Sequence, residues 1–184
     1  ERGQQLTGAA VAVGDIVLGL ASTGLHSNGF SLARKVVERT GLSYADPAPF
    51  DPSRSLGEAL LTPTRIYVRG CLDALREGVV HALAHITGGG LVENLPRVLP
   101  KDLVAELDVG SWSRPDVFGW LQHEGNVPED DMVRTFNCGI GMAVVVPAEA
   151  VDKATAVFEA AGETVFRIGR IRARQDGEPA VSLI

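Results

Sequence analysis

A layered α/β domain, with helices packed on a mixed, partly antiparallel sheet, is what three features of this 184-residue sequence predict. Short apolar runs recur along it, among them Ile16–Ala21, Val79–Ile86 and Ala143–Val146. Between them lie stretches whose apolar residues keep helical spacing. Glycines close several of those stretches, as helix C-termini favour. Alternating strand and helix patterns of these lengths describe a sheet that buries its faces under helices. A chain of this size can bury about 70% of the surface its unfolded form exposes, so one core suffices.

Taken in order, residues 1–10 are polar and read as a linker, 11–174 as the domain and 175–184 as a polar tail. Val11–Val13 is a short apolar run, Gly14-Asp15 a turn, and Ile16–Ala21 a buried strand. Phe30, Leu32, Ala33, Val36 and Val37 then recur at helical spacing. Ser27 or Asn28 is the expected N-cap and Gly41 the closing residue. Residues 43–58 hold Pro47, Pro49 and Pro52 among Asp, Ser and Gly, and read as a long surface excursion of a functional or mobile kind. Leu60–Arg65 is extended around Pro63. A helix is expected over 66–77, with Ile66, Gly70, Leu72 and Leu75 inward and Gly78 ending it.

Val79–Ile86 is read as a strand, 91–99 as a short helix in which Pro96 opens a turn capped by Asn94, and 103–109 as a strand. An amphipathic helix follows over 115–124, stopped by Gly125, and another over 128–136. The acids Glu129, Asp130 and Asp131 of the second read as a solvated helix N-terminus. Ala143–Val146 is a buried strand, and Gly139 and Gly141 before it imply something packed closely on that strand end. A helix over 148–160 with Gly162 behind it and a strand over 164–171 complete the domain.

Two strand-to-helix turns carry the chemistry. One is Thr87-Gly88-Gly89-Gly90, the other Gly24-Leu25-His26-Ser27-Asn28-Gly29. Consecutive glycines hold no side chain between backbone and ligand. Free N–H groups at a helix start point outward and favour anions. Each turn also reads as a plain tight connection. Two in one domain point to a phosphate-bearing ligand.

His81 and His85 stand four apart. On a strand this puts both on one face with Leu83 between them. No acidic residue completes a metal set, so no metal site is expected; His81 reads as structural and His85 as the functional one. Cys71 and Cys138 lack metal-type spacing and read as reduced and buried. A net charge of −6 argues against a nucleic-acid or anionic-membrane surface. No run approaches the roughly 20 apolar residues of a membrane span. The start lacks both Met and a signal-peptide pattern, and reads as the start of an excised, cytoplasmic piece.

Several phrases then occur in one order. They are Gly24-Leu25-His26-Ser27-Asn28-Gly29-Phe30-Ser31-Leu32, Pro63–Val68, His85-Ile86-Thr87-Gly88-Gly89-Gly90, Glu93–Pro100, and Arg134-Thr135-Phe136-Asn137-Cys138-Gly139-Ile140-Gly141-Met142. Together they resemble the C-terminal half of the phosphoribosylformylglycinamidine cyclo-ligase (aminoimidazole ribonucleotide synthetase) family of purine biosynthesis, from about Gly14 to Ile171. Phe30 stands where that family often has Tyr. The family's N-terminal half, with most of the ATP site and the dimer interface, has no counterpart in the sequence, which puts activity of this chain alone in doubt.

The resemblance implies that ATP, with Mg²⁺, phosphorylates the formyl oxygen of formylglycinamidine ribonucleotide. A substrate nitrogen then attacks the activated carbon and closes the imidazole ring, releasing ADP and phosphate. It implies a cytoplasmic, homodimeric parent enzyme whose missing half holds most of the ATP and Mg²⁺. On these positions Thr87, Gly88, Gly89 and Gly90 donate to phosphate, and His26 is the acid–base or orienting group, with His85 in support. Ser27, Asn28 and Gly29 complete the lip, Arg65 pairs with phosphate or a structural carboxylate, and Asn137 is a further substrate contact. Two other readings stay open: a related ATP-dependent enzyme of the formylglycinamidine ribonucleotide synthetase, selenophosphate synthetase or thiamine-monophosphate kinase type, or a non-catalytic phosphoribosyl-binding module.

Overall fold

A computed structural model describes residues 5–184, so the expected linker at 1–10 lies partly outside the described residues. The elements run β1 (Ile16–Ala21), α1 (Phe30–Thr40), β2 (Pro47–Ala48), β3 (Asp51–Ser55), α2 (Leu56–Leu60), α3 (Val68–Arg76), β4 (Ala82–His85) and α4 (Gly90–Asn94). After a 3₁₀ turn at Leu95–Val98 come β5 (Leu103–Leu107), α5 (Asp116–Gly125), α6 (Glu129–Thr135) and β6 (Ile140–Val146). A second 3₁₀ turn, Ala148–Ala150, leads into α7 (Val151–Ala160), β7 (Val165–Ala173) and β8 (Val181–Leu183).

Six strands form one sheet in the order β4-β6-β1-β7-β5-β8. The sheet is mixed as expected: its pairings are antiparallel except for β5 with β8, which run parallel. The apolar run of β1 is central, hydrogen-bonded to β6 on one side and β7 on the other. Alternation splits its side chains between two cores. Ile16, Leu18 and Leu20 pack with Cys71 and Ala74 of α3 and Ala154 and Phe158 of α7. Val17, on the opposite face, shares a core with Leu91, Leu95, Ile140 and Ile168. A third core, at the end of the sheet, gathers α1, α2, α5 and α6 around Phe118, Leu121, Met132 and Phe136.

The structure corrects the sequence reading in several places. Residues 43–58 are not an open excursion but a two-stranded hairpin followed by α2. That helix is opened by a capping box, in which Ser55 accepts from the Glu58 N–H while the Glu58 carboxylate accepts from the Ser55 N–H. Gly29, in the left-handed region at φ 73°, caps α1 in place of Ser27 or Asn28. Asn126, at φ 48°, is the C-cap of α5, one residue beyond the glycine expected to stop it.

The inward face of α3 also differs. Gly70, Cys71 and Ala74 face the core, whereas Ile66 is 80% and Leu72 45% exposed, and Leu75 is exposed as well. A Cβ on Gly70 would lie 3.0 Å from Phe158, so the approach of α3 to α7 is close enough to select small residues. The large apolar side chains of that segment are left outside.

The expected polar tail carries β8. Arg172 ties it down, pairing with Glu106 of β5 at 2.9 Å and also with Glu178. Among the described residues no helix is long and apolar enough to cross a membrane.

Candidate functional site

The first glycine turn follows β1 and is closed by the ring of its own His26 and by Asn137 from elsewhere in the chain. Asn137 is fully buried. Its Oδ1 accepts from the Ser22 hydroxyl at 2.9 Å and the Gly139 N–H at 2.8 Å, and its Nδ2 donates to the Gly24 carbonyl at 2.8 Å. These bonds use the amide within the protein, so Asn137 braces the turn from beneath.

His26 adopts a left-handed backbone at φ 56° and is 5% exposed. Its Nε2 accepts from the Thr23 N–H at 3.1 Å and the Arg65 N–H at 3.4 Å. A nitrogen that accepts from two N–H groups carries no proton, so the neutral ring bears its hydrogen on Nδ1. That Nδ1 is buried without a partner among the described residues. Burial first, and the charge of neighbouring His85 second, push His26 down to about 4, so the ring is neutral near pH 7.

The ring fits because position 141 is glycine: a Cβ there would lie 2.6 Å from His26 Cε1 and would collide with the Tyr67 hydroxyl. This is the close packing that Gly139 and Gly141 imply, Gly141 lying within β6 itself. Tyr67 donates to the Ala21 carbonyl at 2.7 Å, and burial, aided by Glu163, pushes its phenol well above the usual range.

The second turn joins β4 to α4. Gly88 is exposed, and a Cβ on it would meet nothing within 4 Å. Gly89 and Gly90 are left-handed at φ 96° and 59°. Asn94, 4% exposed, braces this turn much as Asn137 braces the first. The Thr87 hydroxyl donates to its Oδ1 at 2.9 Å, and its Nδ2 donates to the carbonyls of Thr87, Gly88 and Gly90 at 3.2, 3.1 and 2.8 Å. The Glu93 carboxylate folds over Gly89.

The two turns meet. Asn28 Nδ2 reaches the Ile86 carbonyl at 3.5 Å, and Ile86 N–H donates to the Gly141 carbonyl beside the His26 ring. Phe136 lies under both: its ring occupies the space a Gly29 side chain would take, and its carbonyl lies against Gly90. Ser27 is exposed, with its hydroxyl 3.4 Å from that of Thr64.

His85 is exposed at the end of β4, its ring 6.3 Å from that of Tyr67. It opens onto a cavity of about 430 Å³ whose walls include Ile66, Tyr67, Leu72, Leu83 and Met142. A second cavity of about 230 Å³, with Thr23, Gly24, Arg54, Thr62 and Asp116 in its wall, adjoins the first turn. Arg65 also lines the first cavity, but not as a free cation. Its Nε pairs with the buried Glu163 at 2.5 Å, and its guanidinium also donates to the Gly162 carbonyl. Of its two expected partners, the structural carboxylate is the one present. His81 donates or accepts at Nδ1 with Asp15 at 2.7 Å, at the far end of β4 from the turns.

Asn94, Tyr67 and Glu163 had no site role in the sequence reading. A buried polar residue between Leu91 and Leu95 was the available signal for Asn94; Glu163 lies 98 residues from Arg65, and no local pattern marks it.

A family model described as AIR synthase related protein, C-terminal domain, matches residues 12–182. The chain belongs to that family. Solved structures similar to this AIR synthase related domain include thiamine-monophosphate kinase from Stenotrophomonas maltophilia, with TM-score 0.64 and 19% identity over 99% of this chain and 54% of that one. The hydrogenase maturation protein HypE in complex with ATP matches with TM-score 0.54 and 17% identity over 96% and 49% of the two chains. T. maritima PurL complexed with FGAR matches with TM-score 0.56 and 15% identity over 100% and 27%. At these identities the likeness is one of fold. The domain spans about half the length of the first two structures.

Proposed function

We propose that this AIR synthase related domain is the phosphate-binding half of an ATP-dependent enzyme, and specifically of one that cyclises formylglycinamidine ribonucleotide to aminoimidazole ribonucleotide. The observation that carries the reading is the meeting of the two glycine turns over Phe136, with the Asn28 side chain spanning them. The ordered motifs of the cyclo-ligase family and the domain's membership of the AIR synthase related family support it.

The chemistry suits these residues. A formyl oxygen leaves poorly until it becomes a phosphate ester, so the site needs anion donors, orientation and a proton acceptor. Gly88 and Gly89 of the Thr87–Gly90 turn supply backbone donors, Gly90 N–H being spent on the Thr87 carbonyl, and Ser27, Asn28 and Gly29 form the opposite lip. His26, neutral, buried and anchored through Nε2, is the orienting group, acting by fixing the shape of that lip. Exposed His85, beside Tyr67, is the supporting side chain. Arg65 and Asn137 hold the site from behind.

The described residues contain no group of three His, Cys, Asp or Glu able to hold a metal, so no step is assigned to a metal ion bound by this domain. In this reading ATP and Mg²⁺ are held mainly by the portion that the longer relatives possess, in a cytoplasmic, homodimeric parent. The exposed apolar row of Leu61, Ile66, Val68, Leu72 and Leu75 is the face on which we place that portion.

Titration of the ¹⁵N-labelled chain with formylglycinamidine ribonucleotide tests the reading. Amide signals of Ser27, Gly29, Gly88 and Gly89 should move together, while ATP leaves the spectrum unchanged. A response to thiamine monophosphate in place of formylglycinamidine ribonucleotide would reassign the substrate. A clear ATP response would move the nucleotide site into this domain.

A further inference from the structure

Among the buried polar side chains near the two turns, Asn94 is distinguished by what its bonds leave free. Its Nδ2 donates to three carbonyls of one turn, those of Thr87, Gly88 and Gly90. In a trans peptide the N–H points opposite to the C=O of the same unit. Drawing those carbonyls toward one buried amide therefore turns the N–H groups of Gly88, Gly89 and Leu91 the other way. Among the described residues none of the three has a hydrogen-bond acceptor, whereas Gly90 N–H donates back to the Thr87 carbonyl at 3.1 Å. Gly88 N–H and Gly89 N–H belong to exposed and half-buried residues.

The Thr87 hydroxyl fixes which way round the amide sits, because it donates to Oδ1 and so leaves Nδ2 for the carbonyls. The glycines supply freedom but no preference: a peptide plane between two glycines can rotate at little steric cost. Something must choose the orientation, and a single side chain touching three carbonyls is placed to do so.

We propose that Asn94 is the positioning residue that sets the polarity of the Thr87–Gly90 turn, holding the three N–H groups outward as donors for a phosphoryl dianion. Asn94 touches no ligand in this scheme; it acts through the peptide planes. The use of the donors rests on the phosphate reading given above, while the orientation itself does not.

The test uses the full chain, ¹⁵N-labelled, with inorganic pyrophosphate as the probe. Residual dipolar couplings measured without ligand report the planes at 87–88, 88–89 and 90–91 in wild type, Asn94→Ala and, should that variant fold poorly, Asn94→Ser. In wild type the couplings should fit outward N–H groups. The variants should change those couplings while the signals of β1 and β6 stay in place. On titration the Gly88, Gly89 and Leu91 amides of wild type should shift, and Asn94→Ala should weaken that response at least tenfold.

Wild-type couplings that fit inward N–H groups, or variant couplings and pyrophosphate affinity equal to wild type, would overturn the assignment. If wild type shows no pyrophosphate response, the phosphate reading fails, and the ligand-free couplings still decide whether Asn94 orients the turn.

Discussion

The two glycine turns connect strands of the same sheet to helices, and each has a buried asparagine behind it, yet they differ in how the backbone is held. In the first, Asn137 reaches across from another part of the chain and bonds to Ser22, Gly24 and Gly139, while the His26 ring fills the inside of the turn. In the second, Asn94 lies only a few residues downstream, no ring fills the turn, and Gly88 faces open space. The first turn is therefore set by long-range packing and is stiff. The second is set by one local side chain and leaves Gly88 uncovered, with the Glu93 carboxylate over Gly89. A ligand that uses both would meet a rigid lip on one side and a bare backbone on the other.

Substitutions can break this contrast or sharpen it. The largest effect is expected at Gly90, where a left-handed φ coincides with contact against the Val133 and Phe136 carbonyls. Gly90→Ala should lose more than ~3 kcal/mol in denaturant unfolding, or fail to fold. Asn137→Ala comes next. It strands the Ser22 hydroxyl, the Gly139 N–H and the Gly24 carbonyl, and should cost roughly 2–4 kcal/mol by the same measurement. A loss below ~1 kcal/mol would show that the first turn is not held as described.

Acid should act through the first turn. His26 titrates lower folded than unfolded, so the unfolded chain takes up its proton first as pH falls. The stability tied to its neutral form is complete above about 6.5. It is lost progressively as pH drops toward 4. Unfolding curves across that window should show the loss in wild type and a smaller one in His26→Gln.

Smaller effects belong to the second turn. Removing the charge that folds over Gly89, by Glu93→Gln, should tighten pyrophosphate binding by up to roughly fivefold, since exposed charges interact weakly. Gly88→Ala should change stability by no more than ~0.5 kcal/mol, because the added methyl meets nothing and φ is not left-handed. A large loss there would contradict the openness of the turn.

How far the sequence carries depends on whether a residue's role is local. The apolar run of β1, the periodic face of α1 and the buried run of β6 announce themselves, because alternation and helical spacing are properties of neighbours. The glycine turns were visible for the same reason. The outward face of α3 was not: Leu72 and Leu75 look like core residues until the close approach to Phe158 admits only Gly70, Cys71 and Ala74. Nor was β8, three residues that become a strand by pairing with β5. Arg65 and Asn137 illustrate the same limit within the site. Asn137 reads as a ligand contact and Arg65 as pairing with phosphate or a structural carboxylate. Each is spent on a partner far along the chain, Ser22 in the first case and Glu163 in the second. Asn94 hid differently, since an asparagine that caps a turn and one that braces it look alike in sequence.

Phe136 has a consequence for ligand choice. With its ring beneath Gly29 and its carbonyl against Gly90, one residue acts as a spacer gauge between the turns. Neither can be displaced without dragging the other, so the distance between the two sets of donors is built into the size of a benzyl group. A smaller residue at that position would bring the jaws together and shorten the molecule that they can span.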